Sequence, residues 1–147
     1  MKKNRNIIFL LIKILLITII IYITYKYIFG FYIVKNSNYK SININPHDFL
    51  IYYKKEKEYQ NNDIVFYNDN IYRIIGTNGQ VIRKIGNKVM IGNDTIDEIN
   101  FNLTYPYTIK ENELFLFNNM EDSRSFGCIN INDIKGKLVF RMQIRDF

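Results

Sequence analysis

An apolar stretch near the N-terminus limits what this chain can fold into more than any other feature. Ile, Leu, Phe and Tyr dominate residues 7–34, and Lys13, Lys26 and Gly30 interrupt them. A helix needs about 20 apolar residues to cross the hydrocarbon of a bilayer, and Ile7–Tyr25 reaches that length. Lys13 lies near enough to the N-terminal end for its ammonium group to reach the headgroups. The stretch therefore predicts a membrane anchor.

The residues that flank this stretch predict its orientation. Lys2, Lys3 and Arg5 precede it, which predicts a cytoplasmic N-terminus and an extracytoplasmic chain from about Lys35 onward. A cleavable signal peptide also begins with basic and apolar residues, but small residues should then follow. Residues 25–32 are instead bulky and aromatic, which is typical of the interfacial belt of an uncleaved anchor. A buried core helix is the other alternative, and it would require a much larger protein around it.

After the anchor the pattern changes to short apolar runs separated by turns. Clusters of Asn, Asp and Gly bound these runs, as expected of strands joined by tight turns. The runs are 49–53, 64–67, 71–75, 81–85, 88–91, 114–117 and 137–141. They predict a mostly β fold, an antiparallel barrel or sandwich. We therefore expect a cytoplasmic segment 1–6, an anchor with its belt at 7–34 and one extracytoplasmic β domain at 35–147.

Composition excludes several classes of function. The 20 Lys and Arg against 14 Asp and Glu give a net charge of +6, but no basic stripe interleaved with aromatic residues is present, so nucleic acid is not an expected partner. Cys128 and His47 are the single residues of their types. An internal disulfide and a Cys- or His-based metal site are therefore excluded, and we expect no cofactor. Any catalysis must come from Ser, Lys, Asp, Glu or Tyr.

Four segments, in order along the chain, carry a family resemblance. They are Asp48-Phe49-Leu50-Ile51, Asn62-Asp63-Ile64-Val65-Phe66, Tyr72–Ile82 with the strand and turn at Asn87–Asp94, and Asp122-Ser123-Arg124-Ser125-Phe126-Gly127 with Ile134–Phe140. Together they resemble the type I signal peptidases, peptidase family S26. The last segment is the most specific, because it matches Asp-Ser-Arg-x-Phe-Gly and the strand behind it.

The resemblance implies a membrane-anchored, mostly β serine protease that releases exported proteins from their signal peptides. In this family a serine hydroxyl attacks the scissile carbonyl after giving its proton to a lysine. That lysine has to be neutral near pH 7, so burial must lower its pKa from about 10.4. The membrane and signal peptides or preproteins are therefore the implied partners.

The two residues of this dyad are not found at the family spacing. Counting back from Asp48 places Tyr39 at the serine position, and the lysine position holds Tyr72. Two serines flank Tyr39, namely Ser37 and Ser41, and a loop shortened by two residues would make Ser41 the nucleophile. Lys40 and Lys84 are the substitutes available for the base, without support from spacing.

The resemblance also implies a wall of the active site, formed by Arg73, Asp122, Ser123 and Arg124. Asp122 and Arg124 can form a charge-assisted pair that braces this wall. A solvated ion pair in a turn, worth less than about 1 kcal/mol, is the alternative.

Three hypotheses about function follow. The first is a degenerate signal peptidase that binds an extended preprotein segment by strand addition without hydrolysing it efficiently. The second is an active endopeptidase with Ser41 as a displaced nucleophile. The third is a membrane-tethered regulatory subunit whose partner is an active signal peptidase paralogue.

Overall fold

The computed structural model describes residues 2–35, 39, 42–97, 104–118 and 123–143, without the side chains of residues 2–6 and Arg124. It begins with one long helix, α1 (Lys2–Tyr27). The part of α1 at Ile7–Tyr27 spans 21 residues with a mean hydropathy of 2.9, and none of it is buried inside the protein. At about 1.5 Å per residue this part is roughly 30 Å long, the thickness of a hydrocarbon core. The helix can therefore cross a membrane or serve as a signal sequence, and the alternative of a buried core helix is wrong.

The rest of the described chain is almost entirely β structure. Its strands are β1 (Phe29–Ile33), β2 (Phe49–Tyr53), β3 (Ile64–Tyr67), β4 (Asn70–Gly76), β5 (Val81–Ile85), β6 (Lys88–Ile91), β7 (Asp94–Asp97), β8 (Tyr107–Thr108), β9 (Glu113–Phe117), β10 (Ile129–Asn130) and β11 (Gly136–Met142). A one-turn helix, α2 (Ser123–Phe126), and a short 3-10 helix (Ile131–Asp133) lie between β9 and β11. Each of the seven apolar runs found in the sequence forms a strand.

The strands form two antiparallel sheets. A seven-stranded sheet has the order β1-β2-β11-β3-β4-β9-β10, and a four-stranded sheet has the order β7-β6-β5-β8. The chain leaves the large sheet after β4 and returns to it at β9, which pairs with β4. The small sheet is therefore an insertion between these two strands. The predicted mostly β, antiparallel fold is confirmed.

Three clusters of buried side chains fill the domain. The first core cluster comprises Val34, Tyr39, Ile42, Ile44, Leu50, Phe66 and Ile71. The second comprises Val65, Tyr72, Ile74, Leu114, Leu116, Ile129 and Ile134. The third comprises Ile75, Ile82, Val89, Ile91, Ile96, Ile109 and Phe115. β4 contributes to all three: Ile71 lies in the first, Tyr72 and Ile74 in the second and Ile75 in the third.

Turn chemistry explains why the hairpins close where they do. Asn68 and Asp69 join β3 to β4 with φ values of 45° and 61°, the left-handed conformation at both central residues that two-residue hairpins favour. Asn and Asp adopt this conformation more readily than most residues. The predicted turns at 68–70, 86–87 and 92–94 are therefore found between paired strands.

The second half of the stretch predicted to be an interfacial belt, from Phe29 onward, forms a strand. β1 begins two residues after α1 ends and pairs with β2, with Phe29 opposite Tyr53 and Ile33 opposite Phe49. Gly30 makes this pairing possible, because a Cβ atom there would lie 2.1 Å from Cζ of Tyr52. The anchor helix is thus joined almost directly to the edge of the large sheet.

Candidate active site

The segment that leads into β2 is held by a buried ion pair. Asp48 is 1% exposed, and its carboxylate lies 2.6 Å from the Arg141 guanidinium on β11. The same carboxylate accepts a hydrogen bond of 2.8 Å from the backbone N–H of Asn45, and Arg141 also donates to the carbonyl oxygen of Asn43. These contacts fix residues 43–48, which follow the expected nucleophile position. Ser37, Lys40 and Ser41 lie outside the described residues.

Tyr39, at the predicted serine position, is packed into the first core cluster. Its side chain is 6% exposed, and its hydroxyl donates a hydrogen bond of 3.1 Å to Oδ1 of Asn70. Burial, followed by the neighbouring Tyr32, raises the pKa of Tyr39 to about 12. A phenol with a raised pKa is even less available as a phenolate than an ordinary tyrosine. The geometry fits a core residue rather than a nucleophile.

The raised pKa of Tyr39 predicts a loss of stability in alkali. The folded-state pKa is about 12, whereas an unfolded tyrosine titrates near pH 10. Above pH ~10 the unfolded chain releases this proton while the folded chain retains it, so the free energy of unfolding falls as pH rises toward 12. Urea unfolding at several alkaline pH values should show this decline, and Tyr39→Phe should reduce its slope. An unchanged slope in Tyr39→Phe would contradict the prediction.

Tyr72, at the predicted lysine position, lies in an aromatic cluster with Tyr67 and Phe126. Its ring centroid is 6.0 Å from that of Tyr67 and 6.1 Å from that of Phe126, the latter in an edge-on arrangement. Tyr67 and Phe126 are themselves 5.9 Å apart. Tyr72 is only 2% exposed. The side chain therefore fills the second core cluster under α2.

The two tyrosines at the predicted dyad positions belong to different clusters. Tyr39 packs with Ile71 in the first core cluster, whereas Tyr72 lies in the second. Ile71 and Tyr72 are neighbours on β4, so their side chains point to opposite faces of the sheet. The structure thus does not place Tyr39 and Tyr72 in one cluster.

Ser123 is buried and supports the end of β9. It is 0% exposed, and its Oγ accepts a hydrogen bond of 2.8 Å from the backbone N–H of Leu116. Its carbonyl oxygen accepts a bond of 2.9 Å from Gly127, whose φ of 84° favours glycine. Ser123 therefore fastens the start of α2 to β9. Asp122 and the side chain of Arg124 lie outside the described part of the chain, so their pairing stays a prediction.

Removing the Ser123 hydroxyl should weaken the fold. In Ser123→Ala the buried N–H of Leu116 loses its acceptor, which should cost about 1–3 kcal/mol of unfolding free energy. Thr95→Ala is the control, because Thr95 is an exposed hydroxyl residue on β7, and it should change stability by less than about 0.5 kcal/mol. Chemical denaturation of the two variants measures the difference. Equal losses in both would contradict the role given to Ser123.

Arg73 points away from Tyr72, on the other face of β4. Its Nη1 donates a hydrogen bond of 3.2 Å to Oδ1 of Asn62, and its guanidinium lies 5.8 Å from the ring centroid of Phe117. It therefore braces the loop before β3 against β9.

Two residues beside β4 were not predicted from the sequence as part of the site. Tyr67 contacts the ring of Tyr72, and Asn118 contacts the backbone of β4. Asn118 is 3% exposed and donates a long hydrogen bond of 3.5 Å to the carbonyl of Ile71. Its position directly after an apolar run was the one sign in the sequence that this side chain is buried.

No lysine in the described part of the chain is buried. Lys84 is exposed on β5, and Lys135 and Lys137 form ion pairs of 2.6 Å with Asp69 and 2.8 Å with Asp63. The described residues also contain no group of three His, Cys, Asp or Glu that could hold a metal ion.

These features define a class of protein, a mostly β domain joined to an N-terminal apolar helix. The model of the family described as signal peptidase, peptidase S26 matches residues 7–143. The chain therefore belongs to the peptidase S26 signal peptidase family. A crystal structure of a signal peptidase I from Enterococcus faecalis V583 is similar at 18% identity and a TM-score of 0.41, over 56% of this chain and 98% of that one. No curated protein matches the chain.

Proposed function

We propose that this protein is a membrane-anchored signal peptidase homologue that binds signal peptides or preproteins but does not hydrolyse them efficiently. The observation that carries the proposal is Tyr72. The family places a lysine base at this position, and the chain has a tyrosine whose ring is packed against Tyr67 and Phe126. A tyrosine with an ordinary pKa near 10 is a poor general base at neutral pH.

The lysines of the described residues support the same conclusion. A lysine becomes neutral near pH 7 only when burial destabilises its charged form. The described lysines are exposed or half-buried, and the half-buried Lys54 and Lys137 contact backbone carbonyls and a carboxylate respectively. None of the lysines whose side chains the structure describes is therefore buried in the way that a neutral base for Ser41 would require.

The proposal includes the topology predicted from the sequence. α1 anchors the chain in the cell membrane, with residues 1–6 in the cytoplasm and residues 35–147 outside it. Supporting this, Lys2, Lys3 and Arg5 precede the apolar span, and basic residues are retained on the cytoplasmic side of membranes. The domain would then meet preproteins on the side of the membrane to which they are exported.

An aromatic surface beside Tyr72 is available to a preprotein. Phe126 is 37% exposed, and Tyr67 is half-buried next to it. Partly exposed aromatic side chains supply large contact areas at low cost in side-chain entropy. We propose that an extended preprotein segment lies across this surface.

A site-specific crosslink tests binding. A photoreactive phenylalanine analogue placed at Phe126 should crosslink a labelled preprotein to the full chain in detergent, and excess unlabelled signal peptide should compete. The matched control carries the same analogue at Ile85, which is 59% exposed on the small sheet. Equal crosslinking from both positions would contradict preprotein binding at the candidate site. Crosslinking from Phe126 to an active signal peptidase alone would favour a regulatory subunit.

A further inference from the structure

The small sheet carries a groove that does not belong to the candidate active site. Its volume is about 300 Å³, and its described lining residues are Gln80, Val81, Arg83, Ile85, Met90 and Gly92. We call it the Arg83 groove. The alternating residues Ile82, Val89 and Ile91 of the same two strands belong to the third core cluster. The groove therefore lies on the side of the small sheet that faces away from the core.

Exposed apolar side chains form the walls of the Arg83 groove. Ile85 is 59% exposed and Met90 36%. Val81, Arg83 and Ile85 occupy alternate positions of β5, and Met90 lies opposite Arg83 on β6. Side chains in these positions share one face of a sheet. Arg83 is thus flanked by apolar side chains, and a contiguous exposed patch of this kind marks a surface that contacts another molecule.

The two polar side chains of the groove present hydrogen-bond donors. Arg83 is exposed and forms no ion pair with any residue that the structure describes. Oε1 of Gln80 accepts a hydrogen bond of 2.8 Å from the backbone N–H of Thr77. This bond turns the Nε2 donor of Gln80 toward Gly92, where a Cβ atom would lie 2.7 Å away. A guanidinium and an amide N–H in one groove suit a ligand that offers carboxylate and carbonyl oxygens.

The carboxylates of the small sheet lie outside the Arg83 groove. Asp97 is opposite Lys88, so these two charges offset each other across the strands. Asp94 is opposite Ile91, at the other end of β7. Neither aspartate lines the groove. The positive charge of Arg83 therefore has no counter-charge among the described lining residues, and an acidic ligand complements it.

A single cation between apolar walls identifies the class of acidic ligand. Nucleic acids are bound by several Lys and Arg side chains that neutralise several phosphates, whereas this groove offers one guanidinium. Alternate side chains of an extended peptide are roughly 7 Å apart, which is also the spacing of Val81, Arg83 and Ile85 along β5. An extended segment with apolar, acidic and apolar side chains at alternate positions therefore matches these three residues one by one.

We propose that the Arg83 groove binds an extended segment of a partner protein in which a Glu or Asp is flanked, at alternate positions, by bulky apolar side chains. The carboxylate contacts the guanidinium of Arg83, and the apolar side chains contact Val81 and Ile85. The inference is independent of the proposed function, because no residue of the groove belongs to the candidate active site. The preprotein crosslinked at Phe126 is therefore chosen without this pattern, so that Ile85 remains a valid control there.

Binding of a synthetic peptide to the full chain in detergent tests this inference. The probe is a fluorescent seven-residue peptide with Leu, Glu and Leu at alternate positions, and two matched probes carry Gln or Lys in place of Glu. Fluorescence anisotropy measures binding. We expect saturable binding of the Glu probe and at least about tenfold weaker binding of the Gln and Lys probes, because these lose the charge-assisted hydrogen bonds to Arg83.

Substitutions of Arg83 show where the probe binds. Arg83→Ala should weaken binding of the Glu probe at least about tenfold. Lys88→Ala is the matched control, because Lys88 is an exposed cation of the neighbouring strand outside the groove, and it should change binding less than about twofold. Arg83→Glu should reverse the preference and bind the Lys probe more tightly than the Glu probe. Both positions are exposed, so these substitutions should leave the fold intact.

Three results would overturn the inference. The first is no saturable binding of the Glu probe up to about 1 mM, a concentration that detects even weak complexes. The second is an equal loss of binding in Arg83→Ala and Lys88→Ala. The third is self-association of the chain that Arg83→Glu abolishes, seen in analytical ultracentrifugation without binding of the Glu probe, which would make a second copy the occupant of the groove.

Discussion

Replacing Arg141 with alanine is expected to lower the free energy of unfolding by about 3–5 kcal/mol. The guanidinium of Arg141 lies 2.6 Å from the carboxylate of Asp48, whose side chain is only 2% exposed. Removal of Arg141 leaves a buried charge for which the described residues show one other donor, the backbone N–H of Asn45. The cost of that unpaired charge, rather than the worth of the pair, makes the expected loss large.

The loss should appear in chemical denaturation of the full chain in detergent. Lys135→Ala is the matched control, because it breaks the Lys135–Asp69 pair, whose side chains are 47% and 89% exposed. An exposed pair contributes about 0–1 kcal/mol. Adding Asp48→Ala to the Arg141→Ala variant should cost much less than the first change, because no charge is then left buried. Equal small losses in the two single variants would refute a structural role for the Asp48–Arg141 pair.

Tyr72→Ala is expected to cost a similar amount, about 3–5 kcal/mol, the range for removing large aromatic side chains from a core. The substitution leaves a cavity next to Tyr67 and Phe126 and removes two ring contacts at 6.0 Å and 6.1 Å. Tyr72→Phe keeps the ring and its volume. It should cost less than about 1.5 kcal/mol, the net value of a typical hydrogen bond.

Tyr72→Ala and Tyr72→Phe together distinguish a packing role of the Tyr72 ring from a catalytic role of its hydroxyl. If the ring is what matters, thermal unfolding should show a large loss for Tyr72→Ala and a small one for Tyr72→Phe. If the hydroxyl takes part in catalysis, Tyr72→Phe should abolish cleavage of a preprotein while the fold remains stable. Losses of equal size in Tyr72→Ala and Tyr72→Phe would contradict the packing role.

Seven of the eleven described strands could be predicted from the sequence because each apolar run was bounded by a turn signal, whereas β7, whose one apolar residue is Ile96, contains no such run. β1 could not be predicted either, since Phe29–Ile33 follows the apolar helix directly and only Gly30 interrupts its bulky side chains. β8 and β10 contain two residues each, and only their partners β5 and β9 define them. Short strands of this kind depend on tertiary contacts that periodicity does not report.

The sequence predicted which positions belong to the candidate site, but it did not predict which core cluster each side chain enters. The positions of Tyr39 and Tyr72 followed from spacing, and alternation along β4 was enough to separate Tyr72 from Arg73. The cluster that receives Tyr39 depends on the path of the loop before β2, which the Asp48–Arg141 pair fixes across a separation of 93 residues in sequence. Phe126 was noted only as part of a motif, although its contact with Tyr72 depends on the short α2 helix.

The central claim is that the chain binds a preprotein without cleaving it, and a cleavage assay tests this most directly. A labelled preprotein that crosslinks at Phe126 is incubated with the full chain, with Ser41→Ala and with an active signal peptidase as positive control. The account predicts cleaved product from the positive control alone. Cleavage by the unmodified chain that disappears in Ser41→Ala would contradict it and identify an active serine endopeptidase.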